Sequence, residues 1–453
     1  MLKFLKQEKS FYKMLLAIAV PAAFSQLINQ AIPLTDTFML GMLGEVEISA
    51  ATIANVPFFV LSLMIFGFQS GSSMLTSQYW GSGNTRAINK IMGVCLYICT
   101  GLTLIISLVF TFFPAQVIAL CTNIPSISAI AQEYLQIVAF SYLLNAISLI
   151  YISTQRSMEN VKIGLAIQIV CVLVNVVLNY ILIFGVFGAP KMGVLGAAWS
   201  TVFSRVLELV LVVIFALNSK FKLDFKAIFQ PGKAIFADFF RYSSVVVLSE
   251  TLWALGVAVF PSVFGRLDEI SLAAYTIVGN IDRVMFSIAM GISTAAGVII
   301  GKRIGEGQTR EQVYSQGGAL LVLSVFAGLV CIVLLLALSP LIFPVLKLEP
   351  QTMDIARDMI IISACAVVAR AFNSTGIVGV LRSGGDTKIV LALDFIGLHC
   401  LTIPLVLLAA FVWNAPPVIV YLFVSLEEPF KFGGVLYRFK SKKWIKNLTR
   451  AEV

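Results

Sequence analysis

Carboxylate and amide side chains stand inside some of the most apolar stretches of this sequence. Asp36 lies in an apolar stretch at about residues 11–43, and Glu250 lies near the middle of another at residues 239–264. A lone carboxylate at the centre of a bilayer costs about 3 kcal/mol on insertion scales. Such a group must be protonated, paired with a base or bound to a cation, so both residues are candidates for reversible cation binding.

A polar stripe runs along the first apolar stretch. Its members are spaced i, i+3, i+7 and i+10, on one helix face: Gln26, Asn29, Pro33 and Asp36. A polar stripe in a membrane helix faces the bundle interior or water, so these side chains are expected to line a cavity. As a helix the stretch would be roughly 50 Å long, so one long span kinked at Pro21 is expected. The alternative places Asp36 at the outer interface as a solvated cap.

Other polar residues share this apolar setting. Asn175 and Asn179 lie one turn apart in the fifth apolar segment, where hydrogen bonds between helices are an alternative to ion binding. Arg205 and Glu208 can pair locally at i, i+3. Asp282 in the eighth segment is a candidate cavity residue. The segments also hold Asp394, Arg283 and Arg370.

The composition requires the bilayer as solvent. Of 453 residues, 59% are hydrophobic and 12% are charged, against about 25% charged in ordinary globular domains. Because a span needs about 20 apolar residues, the pattern predicts an all-α polytopic protein with twelve transmembrane helices. They cover roughly residues 14–35, 48–71, 92–113, 130–152, 164–187, 193–217, 239–264, 271–296, 318–345, 357–380, 389–412 and 416–436.

The basic residues explain the net charge of +9 without nucleic acid. Lys and Arg collect in alternate loops, in the segment at residues 218–238 and at both ends of the chain. This positive-inside pattern predicts that both termini are cytoplasmic and that the protein lies in the cell membrane. The seven cysteines are scattered, and His399 is the single histidine. The cysteines are therefore expected to be buried free thiols, and no structural metal centre is expected. We also expect no cofactor and no catalytic site.

The chain contains a tandem repeat. Residues 41–93 align without a gap on residues 265–317, at an offset of 224. Within them the segment from Gly81 to Arg86 matches the segment from Gly305 to Arg310, and the following parts align at an offset near 226. Six spans per copy return the chain to its starting side, so the copies share one orientation. The predicted domains are an N-lobe at 1–217, a linker at 218–238 and a C-lobe at 239–453.

The order and spacing of several motifs resemble the multidrug and toxic compound extrusion (MATE) family. The resemblance covers nearly the whole chain. It rests on the first-span pattern from Pro21 to Thr37, on the segments at residues 69–83, 379–387 and 425–428, and on Glu250. It implies two six-helix lobes in a V shape, a central cavity, and export of organic cations by alternating access, driven by inward H⁺ or Na⁺.

The resemblance also implies coupling residues. Asp36 matches the family's first-span aspartate, and Pro21 the residue that bends this helix. Some relatives carry Asp where Asn179 stands, so one carboxylate is missing, yet Asp36, Asn175 and Asn179 still offer oxygen ligands for Na⁺ or a proton site. Relatives with a second-lobe site pair Glu250 with a tenth-span aspartate that this chain lacks.

Asp394 in the eleventh span is the substitute acid for that missing aspartate. The alternative is a structural pair between Asp394 and Arg283 or Arg370. Acids outnumber the three intramembrane bases, which are Arg205, Arg283 and Arg370. This excess of acids favours small organic cations as the cargo. The transporter is expected to be a monomer. A flippase for lipid-linked oligosaccharides, from the same superfamily, is the alternative function. A membrane enzyme or channel is disfavoured because no phosphate loop or nucleophile–base pair is present.

Overall fold

The computed structural model describes residues 2–122, 124–219, 221–342 and 349–450, and these residues form helices joined by short turns. Their apolar runs explain the helices, since a backbone in lipid must satisfy its hydrogen bonds within each segment. The α-helices are α1 (Lys9–Gly41), α2 (Glu45–Gly81), α3 (Thr85–Phe112), α4 (Pro114–Ala119), α5 (Pro125–Ser157), α6 (Val161–Phe184), α7 (Val194–Asn218), α8 (Phe225–Phe229), α9 (Lys233–Val257), α10 (Val259–Leu267), α11 (Glu269–Gly305), α12 (Arg310–Ile342), α13 (Pro350–Ser374), α14 (Thr387–Phe395), α15 (Ile403–Phe411), α16 (Pro417–Ser425) and α17 (Glu427–Lys440).

Ten helical segments of this described part are long and apolar enough to cross a membrane. The predicted tenth and twelfth spans are not among these ten segments, because the first of them carries several charges and the second is divided into two short helices. Helix α13 carries Asp354, Arg357, Asp358 and Arg370, and the last span is divided at Leu426 into α16 and α17. The predicted ninth span reaches residue 345, and its last three residues lie outside the described part. The chain is a multi-pass membrane protein.

Helix α1 is one continuous helix of 33 residues that passes through Pro21 and Pro33. The predicted single long span is therefore confirmed, since a helix of this length measures roughly 50 Å. The kink at Pro21 stays a prediction.

Contacts divide the chain into two compact units. Unit 1 comprises residues 1–27, 73–83 and 241–452, and unit 2 comprises residues 28–72 and 84–240. Helices α1 and α2 are therefore each divided, with one part in unit 1 and the other part in unit 2. Each unit has its own apolar core, built in unit 2 around fully buried alanines such as Ala50, Ala54 and Ala131. Small side chains allow close helix packing where lipid provides no hydrophobic drive.

Within unit 1, the repeated glycine motifs cross each other. A methyl group on Gly81 would lie 2.8 Å from the carbonyl carbon of Lys302, and one on Gly305 would lie 2.7 Å from that of Gln78. The offset of 224 makes Gly81 equivalent to Gly305 and Gln78 equivalent to Lys302, so the two contacts are copies of each other. At the centre Gly301 faces its own equivalent, Ser77, whose Cβ would be 2.7 Å from an added methyl. The crossing therefore has local two-fold symmetry, and its glycines are required by close backbone approach.

The segment after α17 packs back onto the same unit. Trp444 is fully buried. The Gln78 side chain donates to the Ser383 carbonyl at 2.9 Å and accepts from the Leu448 amide at 2.8 Å. This segment is thereby fixed to the end of α2.

Asp386 anchors the same region through two basic residues. Arg438 and Lys446 donate to its carboxylate at 2.5 and 2.7 Å. Burial alone would raise the pKa of Asp386, but these two hydrogen bonds outweigh it and hold that pKa below its ordinary value.

Candidate functional site

The predicted first-span carboxylate lies within a small polar cluster of unit 2. Asn179 Nδ2 donates to Asp36 Oδ1 at 2.6 Å and lies 3.2 Å from Asn175 Oδ1. Helix α1 positions the carboxylate, and α6 positions both asparagines, which are one turn apart and buried. The structure thus brings the first-span carboxylate together with two asparagines of the fifth span.

Asp36 has no basic side chain within ion-pair distance among the residues that the structure describes. The nearby base of unit 2, Arg205, instead pairs with Glu208 at 3.0 Å, as their i, i+3 spacing predicts. Asn145 donates a further hydrogen bond to Glu208 at 3.2 Å. In the same described part, the buried Asn179 Oδ1 has no hydrogen-bond partner. A carboxylate and an unsatisfied amide oxygen therefore lie side by side, a pair that a proton or small cation would complete.

Glu250 in unit 1 is held differently. Arg382 Nη1 lies 2.8 Å from Glu250 Oε1, and the two side chains are only 3% and 13% exposed. Arg382 follows the tenth span, as the sequence predicts, and begins a turn there, but its burial was not predicted. A seven-residue π-helical stretch, Thr375–Leu381, continues α13 and places Arg382 inside the unit.

A second ion cluster of unit 1 surrounds Asp282. Arg370 lies 3.1 Å from Asp282 and 3.2 Å from Glu428, so it bridges two acids. Ser363 and Tyr421 also donate to the Asp282 carboxylate, at 2.5 and 3.2 Å. Asp282 therefore joins α11 to α13 and α16, and Arg370 extends the cluster to α17.

Asp394 is paired with a residue that the sequence reasoning overlooked. Lys431 Nζ lies 2.8 Å from Asp394 Oδ1 and also forms an ion pair with Glu427. The expected alternative partners, Arg283 and Arg370, were wrong. The count of three intramembrane bases also omitted Lys431, which lies within the predicted twelfth span and is buried. The spacing of Glu427 and Lys431 at i, i+4 in an apolar segment was the available signal.

Two further predicted cavity residues lie on α1 without a described contact to Asp36. Gln26 is half-buried in unit 1, and Asn29 is exposed in unit 2. Their role in a substrate cavity stays a prediction, as do the cavity role of Asp282 and the coupling roles of Glu250 and Asp394. No group of three or more His, Cys, Asp or Glu residues able to hold a metal occurs in the described ranges.

A family model matches this chain twice. The MatE model matches residues 21–181 and again residues 246–408, which together make up more than half of the sequence. The two matches run in register with the tandem repeat found in the sequence.

Curated relatives match over almost the whole length. A protein of Bradyrhizobium diazoefficiens described as probable multidrug resistance protein NorM is 26% identical, with 93% of this chain and 91% of the relative covered. A protein of Thermotoga maritima with the same description is 25% identical, with 97% of this chain and 95% of the relative covered.

Solved structures show the same fold. The chain is similar to the eukaryotic MATE transporter AtDTX14, with a TM-score of 0.85, 16% identity and 98% of each chain covered. The chain is also similar to the bent form of the Vibrio cholerae MATE transporter VcmN, with a TM-score of 0.85 and 15% identity. The match covers 96% of this chain and 99% of VcmN. With two matches to the family model and full-length relatives, the chain belongs to the MATE family of efflux transporters.

Proposed function

We propose that this transporter exports small organic cations in exchange for an inward H⁺ or Na⁺, with Asp36 as the coupling carboxylate. One observation carries the proposal. The acids Glu208, Glu250, Asp282 and Asp394 each have a basic partner within 3.1 Å, whereas no described base lies within 4.0 Å of Asp36. A carboxylate that already holds an internal cation is a poor site for an external one, so Asp36 is the acid available for exchange.

Asn175 and Asn179 complete this site. Both amides can present oxygen to a sodium ion, which prefers hard oxygen ligands as Ca²⁺ and Mg²⁺ do. The same amides can hold a neutral carboxylic acid, since Asn179 Oδ1 is an unsatisfied acceptor for its proton. The cluster therefore supports uptake of either ion, with one negative charge to neutralise.

Exchange follows from linkage between the two ligands. An organic cation and the coupling ion both neutralise Asp36, so each lowers the affinity of the protein for the other. Alternating access then requires that the cluster face opposite sides of the membrane in its two states. The relatives described as multidrug resistance proteins support small, chemically varied organic cations as the cargo.

The flippase alternative receives less support. A pyrophosphate-linked substrate needs exposed basic side chains, but Arg370, Arg382 and Lys431 are each neutralised by acids within unit 1. These bases hold the fold together and leave no described cluster of uncompensated positive charge in the core of that unit.

The test is efflux of ethidium from proteoliposomes under an H⁺ gradient or a Na⁺ gradient imposed separately. One gradient is expected to drive export by the wild-type protein, and Asp36→Asn is expected to abolish that export. Asn179→Ala serves as a milder variant, because it keeps the carboxylate and removes its hydrogen-bond donor. Gradient-driven export that persists in correctly folded Asp36→Asn protein would contradict the proposal.

A further inference from the structure

A buried lysine occupies the centre of an acidic pair in unit 1. Lys431 Nζ lies 2.8 Å from Asp394 Oδ1 and contacts Glu427, and the lysine side chain is only 7% exposed. Ser249 donates to the second Asp394 oxygen at 2.8 Å. The ammonium group therefore lies between carboxylates of α14 and α17, and a hydroxyl group of α9 holds the α14 carboxylate by its other oxygen.

This oxygen set has the chemistry of a small-cation site. Two carboxylates supply hard oxygen ligands of the kind that bind compact cations. A lysine ammonium is a compact, strongly hydrated point charge on a flexible stem, unlike the planar guanidinium groups that pair with Glu250 and Asp282. Lys431 is thus the internal group in this unit that most resembles a free monovalent cation in size and charge.

We propose that Lys431 is a tethered cation that fills a cation site formed by Asp394 and Glu427, and that its presence confines ion coupling to Asp36. The inference rests on the proposed function and names the residue that sets where coupling occurs. With the ammonium in place, both carboxylates already contact a resident cation and are closed to external ions. Without it, two buried carboxylates face each other, and a monovalent metal cation such as Na⁺ relieves their repulsion.

The acid next to this cluster has partners of its own and does not depend on Lys431. Glu428, the neighbouring acid on α17, is already bound by Arg370 at 3.2 Å and by the Asn373 side chain at 2.8 Å. Loss of Lys431 therefore exposes Asp394 and Glu427 without freeing a third acid.

The test uses the full chain in the Asp36→Asn background, so that the first site does not bind Na⁺. Thermal unfolding of Lys431→Met is compared in NaCl and in choline chloride at equal ionic strength, and Na⁺ binding is measured by calorimetry. We expect Na⁺ to bind and to raise the melting temperature of Lys431→Met. The matched control Lys431→Arg keeps a resident charge and is expected to show neither effect.

Further variants keep the test decisive. If Lys431→Met does not accumulate as folded protein, Lys431→Met/Glu427→Gln leaves one buried carboxylate, and the same specific response to Na⁺ is expected. A folded Lys431→Met or double variant that binds no Na⁺ overturns the inference. Since the measurement reports binding and not transport, it stands apart from the efflux experiment: export that survives Asp36→Asn defeats the proposed function and leaves the tethered cation in place.

Discussion

Replacement of Glu250 by Gln is expected to damage stability far more than replacement of Asp36 by Asn. Glu250→Gln keeps the size of the side chain but removes the negative charge that lies 2.8 Å from Arg382. The Arg382 side chain is 3% exposed, so its guanidinium group would remain buried while the Glu250 charge beside it is lost. Breaking a buried pair by removal of one partner costs about 3–5 kcal/mol.

This cost translates into a measurable shift. For a folding unit of 150–250 residues, 1 kcal/mol corresponds to about 2–4 °C, so the melting temperature should fall by roughly 6–20 °C. Asp36→Asn breaks no ion pair within the described part of the chain, and it weakens one hydrogen bond to a charged group, which costs at most about 1.5–3 kcal/mol. Thermal unfolding in detergent micelles, followed by size-exclusion chromatography, measures both.

A double-mutant cycle identifies the cause. Glu250→Gln combined with Arg382→Gln removes both charges, and most of the lost stability should return, with an interaction energy of up to about 3 kcal/mol. If Glu250→Gln melts within a few degrees of the wild type, the ion pair is not structural. The reasoning that reserves coupling for Asp36 would then be refuted, and the predicted coupling role of Glu250 would regain its support.

The remaining predictions concern the helix crossing and the anchor at Asp386. Gly305→Ala should prevent accumulation of folded protein, because its methyl group would lie 2.7 Å from the Gln78 carbonyl carbon. Gly279→Ala is the control in the same helix, since a methyl group there meets nothing within 4 Å, and it should fold normally. Fluorescence-detected chromatography measures both outcomes. Because the pKa of Asp386 is lower in the folded protein than in the unfolded chain, its contacts with Arg438 and Lys446 stabilise the fold above the ordinary carboxyl pKa, and this stabilisation is lost as pH falls through the lowered pKa. The melting temperatures of wild type and Asp386→Asn should therefore converge on acidification, and a gap that stays constant with pH would contradict this assignment.

The helices and the repeat could be predicted because both depend on local patterns. Apolar runs require helices in lipid, and the matched glycine motifs keep their spacing whatever they contact. Local charge pairs were equally accessible, since Arg205 and Glu208 are fixed by i, i+3 geometry on one helix.

Partners between helices could not be predicted in the same way. Arg382 stands before Ser-Gly-Gly-Asp, which is typical of an exposed loop, yet after the π-helical stretch its side chain is buried against Glu250. Arg283, Arg370 and Lys431 were all possible partners of Asp394, and the packing of α14 against α17 selects Lys431. Such choices depend on helix rotation and depth, which a hydropathy pattern does not encode.

The glycine crossing also restricts how such a molecule can arise by duplication. Two identical copies of the first repeat, related by a true two-fold axis, would set Ser77 against a second Ser77 at the position where Gly301 leaves no room even for a methyl group. A contact between identical surfaces requires the same residue on both sides, so a homodimer would need a glycine at both positions. Fusion into one chain removes that requirement, since each copy can carry a different residue at the axis. Ser77 opposite Gly301 is thus an asymmetry that two identical subunits could not carry.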